Sequence, residues 1–376
     1  MISQYNLFLL VLISVFAIAT ALQLFYYLYF YLAVSHFQHP VQEVAGEPVS
    51  VIICARNEVE NLRNFLPSVL KQDYPDYEVI VVNDCSEDDS YIVLGDYIRQ
   101  YPHLKVSTIT KDPKFTHNKK FAQFIGIKAS KNEILLFTDA DCQPESEKWL
   151  SGMTSHFDKK TSFVLGYGGY HNKPGLLNKY IRYDTMFIAM QYLGMAIRGL
   201  PYMGVGRNLA YRRSLFFDKK GFGAHNQLIS GDDDLFVNSN AAKTNTKVEF
   251  RKEMHTRSVP CSGLAEWITQ KRRHLTTAPY YKPRDKLLLF TEPASRIFFY
   301  ASFIVLISNL TLWPLTLSIF LLRLIVQVVV FVLIQKKLNE SGLIVSSLFF
   351  DIFSPLINGA VYVSNFRSKP GKNGWK

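Results

Sequence analysis

Apolar residues are distributed along the chain in two ways. Near both ends they form long unbroken runs; between the ends they come in short blocks separated by polar segments. No Asp, Glu, Lys or Arg precedes Glu43, and Leu7 to Val34 is almost wholly apolar and aromatic. That run is longer than the ~20 residues a membrane helix needs. Ala19-Thr20-Ala21 fits a cleavage site, but no positive charge precedes the run and it continues well past that point. A retained anchor over residues 1–40 is expected, rather than a signal peptide. Toward the other end, Ile297 to Leu322 carries no charge, and Leu324 to Gln335 extends the run beyond a single Arg323. At about 1.5 Å of rise per residue this is too long for one crossing. The stretch Asn309 to Pro314 predicts a break that folds it into a hairpin. Arg323 would lie inside the second helix, as a functional charge, a snorkelling one or a helix–helix contact. Gly342 to Phe366, interrupted by Asp351, Pro355 and Asn358, reads as a third helix or a re-entrant element. Residues 296–366 thus form a C-terminal membrane region, followed by a basic tail, 367–376.

Residues 48–293 carry the second pattern. Val49 to Cys54, Tyr77 to Val82 and Glu133 to Thr138 are continuous apolar, largely β-branched runs of strand length, and Lys105 to Ile109 is a short strand. Asn57 to Leu70, Tyr91 to Tyr101 and Phe121 to Ser130 have helical spacing. This alternation predicts an α/β domain with a largely parallel sheet, helices on both faces, and ligands beyond the carboxyl ends of the strands.

Composition sharpens the division. Of 376 residues, 48% are hydrophobic and 19% charged, below the roughly 25% of soluble domains, because the average mixes charge-free ends with a polar middle. The net charge of +11 includes Lys271-Arg272-Arg273, Lys282, Arg284 and a tail with Arg367, Lys369, Lys372 and Lys376. No helix-turn-helix, zinc or RNP pattern accompanies it. Nucleic acid is therefore not an expected partner; anionic lipid and phosphate-bearing substrates are. The positive-inside rule puts the middle domain and the tail on the cytosolic side of a cell or inner membrane. One anchor followed by three full spans would put the tail outside, so Gly342 to Phe366 is expected not to cross fully. Cys54, Cys85, Cys142 and Cys261 lack metal-ligand spacing and read as reduced thiols. His36 and His39 flank the anchor, and His103, His117, His156, His171, His225 and His255 form no H-x-x-x-H pair, so no zinc site is expected.

The strand ends carry the chemistry. The second strand leads into Asn83-Asp84-Cys85-Ser86-Glu87-Asp88-Asp89, and the fourth into Asp139-Ala140-Asp141. Helix capping is an alternative role for Asp84 and Ser86. It explains Asp139 and Asp141 poorly. Two carboxylates two residues apart after a buried strand offer hard oxygen ligands to Mg²⁺ or Mn²⁺, which would bridge a diphosphate.

An ordered series of motifs, SVIICARNEVENL, VVNDCSEDDS, NKKFAQFIGIKAS, LLFTDADCQP, GVGRNLAYRRSLF, GDDDLF and QKRRH, resembles the membrane-bound family 2 glycosyltransferases, inverting enzymes with a GT-A fold. The resemblance spans about Pro48 to Lys282. It implies a mixed, mainly parallel sheet and a nucleotide-sugar donor, with a UDP-sugar expected because Asp84 matches the aspartate that reads uracil. It further implies that Arg56 and Glu58 cradle the nucleotide, and that Lys119, with Lys120 as the adjacent alternative, lies near its phosphates. Asp139 and Asp141 match the metal motif, and Gly204, Gly206 and Asn208 the loop near donor sugar and acceptor. Asp233 matches the catalytic base, with Asp232 in the position of the usual Glu and Asp234 as an alternative register. Gln270, Arg273 and His274 match the Q-x-x-R-W motif. His274 replaces the Trp of that motif, and Asn118 replaces a common Gly.

Such a reaction needs a neutralised leaving diphosphate, a carboxylate that takes the acceptor proton, and in-line positioning of the two substrates. Tyr180 to Tyr202 reads either as a core helix or as an amphipathic helix resting on the bilayer, and Thr277 to Tyr281 with Leu287 to Phe290 reads as interfacial. These features favour a membrane lipid as acceptor, as in the ceramide and diacylglycerol relatives. A processive polysaccharide synthase and an inactive membrane scaffold are the rival readings.

Overall fold

A computed structural model describes residues 4–40, 46–112 and 118–367. The basic tail beyond residue 367 and His117 lie outside them. The chain opens with helix α1 (Gln4–Phe25), which continues through a π-helical turn, Tyr26–Tyr31, into α2 (Leu32–His36). The α/β region then runs β1 (Val49–Ala55), α3 (Val59–Leu70), β2 (Tyr77–Asp84), α4 (Ser90–Gln100), β3 (Leu104–Ile109), α5 (Lys119–Ala129), β4 (Ile134–Asp139) and β5 (Cys142–Pro144). It continues with α6 (Trp149–Thr154), β6 (Phe163–Gly166), β7 (Gly168–Tyr170), α7 (Leu176–Ile197), β8 (Leu209–Arg212), α8 (Arg213–Asp218), α9 (Asp234–Asn240), β9 (Thr246–Glu249), β10 (Thr256–Ser258) and α10 (Leu264–Leu275). Three long helices close it: α11 (Pro283–Ile307), α12 (Trp313–Lys337) and α13 (Ile344–Arg367).

The main sheet has the order β3-β2-β1-β4-β8-β6-β9. Strands β1 to β4 pair in parallel, β8 runs antiparallel to both β4 and β6, and β6–β9 is parallel. A small sheet, β5-β10-β7, sits beside the end of β4. This is the mixed, mainly parallel α/β sheet that the strand–helix alternation predicts.

Each strand alternates its side chains between the two faces. Val49, Val51 and Ile53 of β1 pack with α3, α4 and α6, through Leu62, Leu66, Leu94 and Trp149. On the other face, Ile52, Leu135 and Phe137 join a core that runs through α7 into the membrane helices, including Tyr27, Phe30, Phe331 and Ile334. The Tyr180–Tyr202 segment is thus a core helix over most of its length: Tyr183, Met186, Met190 and Leu193 of α7 are fully buried. Gly194 lets α7 close on the N-terminal helix, since a Cβ there would meet the Phe30 carbonyl oxygen at 2.5 Å.

Among the described residues, four helices are long and apolar enough to cross a membrane: Leu7–His36, Pro283–Ile307, Trp313–Lys337 and Ile344–Asn365. The hairpin break falls where Asn309 to Pro314 predicts it, with Asn309 Oδ1 accepting from the backbone of Thr311 and Leu312 at 3.1 Å each. α11, however, starts at Pro283, well before the charge-free run. Its first turn carries Asp285, which is buried and accepts from Asn238 of α9 at 2.9 Å, so the helix is rooted in the α/β region. Arg323 is a helix–helix contact: its guanidinium lies 2.8 Å from Asp351 of α13 and donates to Gln23 of α1 at 2.9 Å. α13 is one continuous helix through Pro355. Its N-terminal side is held by Glu340, which pairs with Arg182 of α7 at 2.7 Å and with Arg257 of β10. Its C-terminal end returns to the α/β region. Asn358 donates to Asp184 at 3.4 Å, Ser364 accepts from Arg272 at 3.0 Å, and Asn365 donates to the Arg272 carbonyl at 3.1 Å.

Candidate active site

The loops after β1 and β2 are laced together. Asn57 adopts a left-handed backbone (φ 54°) that aims its N–H at Ser86 Oγ, 3.0 Å away, while its Oδ1 accepts from the Glu87 N–H at 2.8 Å. Asp88 accepts from the backbone of Val59 at 3.0 Å and of Ser90 at 3.1 Å. The first turn of α4 is therefore served by Asp88. The laced loops frame a cavity of about 360 Å³ lined by Arg56, Asn83, Ser86, Glu87, Thr108 and Lys111. Asp84 ends β2 beside it, fully buried. Glu58 is buried too, and its carboxylate accepts from Asn61 at 2.5 Å.

Asp139, Asp141 and Cys142 bring their ligand atoms within 4.8 Å of one another. Burial, with Asp141 and Asp139 alongside, pushes the Cys142 thiol well up, and the thiol shares a 2.9 Å contact with Ser258 Oγ. The available donors are therefore carboxylate oxygens, which suit Mg²⁺ or Mn²⁺. Lys119 Nζ donates to Asp139 Oδ1 at 2.6 Å and lies 3.8 Å from Asp232. Burial disfavours the Asp139 carboxylate, but Lys119, Arg207 and Arg273 outweigh it and hold the group below its usual range. Asn118 explains why Lys119 is so placed: its Oδ1 caps α5 by accepting from the Phe121 N–H at 2.9 Å. Lys120 is turned away. Its Nζ donates to the carbonyls of His225 at 2.7 Å and Leu228 at 3.1 Å, holding that loop down.

The three consecutive aspartates divide by environment. Asp234 is buried and accepts from Thr277 Oγ1 at 2.5 Å, Tyr281 OH at 2.6 Å and the Leu235 N–H at 2.8 Å, which makes it a strut between α9 and the segment after α10. Thr277 and Tyr281 are thus packed residues. Asp232 is also buried, facing Lys119. Asp233 accepts from the Gly206 N–H at 2.6 Å and the Asp234 N–H at 2.7 Å and opens onto a second, larger cavity. Burial first, then the charges of Asp232 and Asp234, raise its proton affinity to a pKa of about 7, against the pull of Lys119. A Cβ at Gly206 would come within 3.2 Å of its Oδ2, so glycine there leaves the carboxylate room.

The larger cavity has a volume of about 840 Å³. Its lining includes the polar residues Asp233, Arg207, Gln270 and His274 together with Phe298 of α11 and Pro355, Gly359 and Val363 of α13. His274 keeps an exposed edge, and desolvation against the domain, followed by the charges of Arg273, Lys271, Arg207 and Lys119, pushes its imidazole pKa down. Asn208, by contrast, faces inward. It accepts from Trp149 Nε1 at 3.0 Å and donates to the carbonyls of Tyr167 and Met254 at 2.8 and 2.9 Å. Gly204 packs on Leu209.

Arg207 is the residue the motif reading passed over. Its guanidinium lies 4.5 Å above the Tyr170 ring, between Asp139 and the cavity that holds Asp233. Its stem occupies the place of a Cβ at Gly168, which would lie 2.6 Å from Arg207 Cγ. The signal was available as the one cation inside Gly204-Val-Gly-Arg-Asn208. Spacing also missed a cluster remote from this site, in which His39, His156 and Glu249 place ligand atoms within 4.8 Å of one another.

Fold and site together define a GT-A-like α/β domain joined to membrane-type helices. Residues 50–217 match the family model described as Glycosyl transferase family 2. Among curated proteins it is 36% identical over 189 residues to glycosyltransferase AglE of Haloferax volcanii, covering 49% of this chain and 58% of that protein. It is 29% identical over 140 residues to the poly-beta-1,6-N-acetyl-D-glucosamine synthase of Staphylococcus epidermidis, covering 37% of this chain and 32% of the synthase. The chain thus spans little more than half of the first and a third of the second. Among solved structures, the mannosyltransferase PcManGT from Pyrobaculum calidifontis, in complex with GDP-Man and Mn²⁺, aligns with a TM-score of 0.59 at 17% identity. The alignment covers 94% of this chain and 99% of that one.

Proposed function

We propose that the chain is an integral-membrane, inverting glycosyltransferase that moves one sugar from a UDP-sugar to a lipid acceptor, with its catalytic domain on the cytosolic side. The observation that carries this reading is the cavity of about 840 Å³ running from Asp233 to the apolar faces of α11 and α13. A lipid chain fits its far end and a hydroxyl head group its near end.

In this reading Arg56, Glu58 and Asp84 hold the nucleotide beside the smaller cavity. Asp139 and Asp141 hold Mg²⁺ or Mn²⁺, which when bound neutralises the departing diphosphate. Lys119, Arg207 and Arg273 add positive charge to the same place. Asp233, near neutral in proton affinity, accepts the hydroxyl proton as the acceptor attacks. Attack opposite the leaving group inverts the anomeric centre. Gln270 and His274 line the acceptor side, and the Gly204–Gly206 backbone holds Asp233.

α13 belongs in the plane of the membrane surface in this reading, as a roof to the cavity. A helix of its length spans about 36 Å. Contacts from Glu340 at one end and Ser364 and Asn365 at the other to catalytic-side residues support that placement over a crossing.

The reading is tested by supplying the purified protein in lipid nanodiscs with UDP-sugars, GDP-mannose and Mn²⁺, with mass analysis of the lipids. Addition of one sugar mass to a lipid from a UDP donor is expected. A ladder of many sugar units would identify a polymer synthase, and hydrolysis without any lipid product would overturn the lipid acceptor.

A further inference from the structure

We propose that His39, His156 and Glu249 form a binding site for a divalent transition metal of the zinc type, which fastens the end of the N-terminal membrane helix to the far edge of the catalytic sheet. The three residues come from separate elements: His39 lies just past α2, His156 past α6, and Glu249 at the end of edge strand β9. Their side chains are 5%, 2% and 0% exposed. Both ring nitrogens of His39 and Nδ1 of His156 are buried without a hydrogen-bond partner. Buried polar atoms left in that state are uncommon, and an ion is one of the standard reasons for them. His39 Nδ1 lies 3.5 Å from Glu249 Oε1, and His156 Nε2 2.7 Å from Oε2, so both imidazoles converge on one carboxylate.

The donor set suits the ion. Two imidazoles and a carboxylate are a common three-residue set for zinc, with a fourth position left for water. Arg251 donates to both oxygens of Glu249, from its backbone N–H to Oε1 at 2.8 Å and from NH2 to Oε2 at 2.6 Å. Ligating carboxylates are commonly hydrogen-bonded in turn. The Arg251 side chain is 38% exposed and can swing outward, which provides the way in.

The experiment uses untagged full-length protein carrying Asp139→Asn and Asp141→Asn, so that the other cation pair is silent, and zinc as the probe. After zinc loading and passage over a weak chelating resin, one zinc per folded chain is expected. X-ray absorption should show two imidazoles in the first shell at about 2.0–2.1 Å. His39→Gln should bring the zinc content close to zero while elution and circular dichroism stay unchanged. A folded parent chain holding less than a tenth of an equivalent, or a first shell without imidazole, would overturn the proposal. So would full zinc retention in His39→Gln. The absorption measurement needs no variant at the site, so a misfolded His39→Gln leaves the test intact.

Discussion

Asp233 opens onto the larger cavity and stands between two like charges, Asp232 and Asp234, and its chemistry follows from that. Its pKa of about 7 against an ordinary 3.8 means the folded protein holds this proton more tightly than the unfolded chain does. Two consequences have definite signs. Turnover should rise as pH passes upward through about 7, because the base must be deprotonated to act. Stability linked to this group should fall as pH rises from about 4 to 7 and then level off. Asp233→Asn should reduce transfer by roughly 10²–10⁴-fold while melting higher than wild type at pH 8 and no higher at pH 4. Calorimetry across pH, beside a transfer assay, checks both. The two neighbouring lysines should part company as well. Lys119→Met removes the partner of Asp139 and should cost about 10²-fold in turnover with little change in folding. Lys120→Met strips the donor from the half-buried carbonyls of His225 and Leu228 and should cost about 1 kcal/mol of stability, measured by denaturation.

At the scale of elements, α13 and the larger cavity are the informative pair. Gly359 lines the cavity on α13, and a Cβ there meets nothing within 4 Å. Gly359→Trp should therefore fold, fill the far end of the cavity and suppress transfer to long-chain lipid, leaving metal-dependent donor hydrolysis intact. Comparing the two activities on one preparation shows whether the chain end or the donor end was blocked. Topology has its own test. If α13 roofs the site in the membrane plane, a reporter fused after Lys376 should sit in the same compartment as one inserted in the catalytic domain. A reporter on the opposite side would make α13 a true span.

The whole molecule is held together by buried ionic contacts that link the membrane helices to each other and to the domain. Arg323 and Arg296 both pair with Asp351, at 2.8 and 3.2 Å, and Arg296 also pairs with Glu292 at 2.7 Å. Arg323→Met leaves Asp351 short of a partner and should cost about 3–5 kcal/mol, seen as a lower melting temperature in detergent. Much of this architecture was legible in the chain itself. Strands β1, β2 and β4 follow their apolar runs to within a residue or two, because a strand buried on both faces tolerates nothing else. The acidic strand ends were legible because carboxylates after such runs have few other uses. Contacts between residues distant in sequence left no such trace. The Glu340 clamp, the His39–His156–Glu249 cluster and the place of Arg207 above Tyr170 depend on how α7 and the hairpin pack. Tyr180 to Tyr202 was ambiguous for a related reason: a largely apolar and aromatic segment with few charges suits a protein core and a bilayer surface equally.

Transfer of a labelled sugar from a UDP-sugar into the lipid fraction of nanodiscs, run on wild type, Asp233→Asn and Gly359→Trp with donor hydrolysis measured alongside, is the most direct test. Wild type should label a lipid by one sugar unit, Asp233→Asn should fail to, and Gly359→Trp should hydrolyse donor without labelling long-chain lipid. Full lipid labelling by a folded Asp233→Asn protein would contradict the central claim.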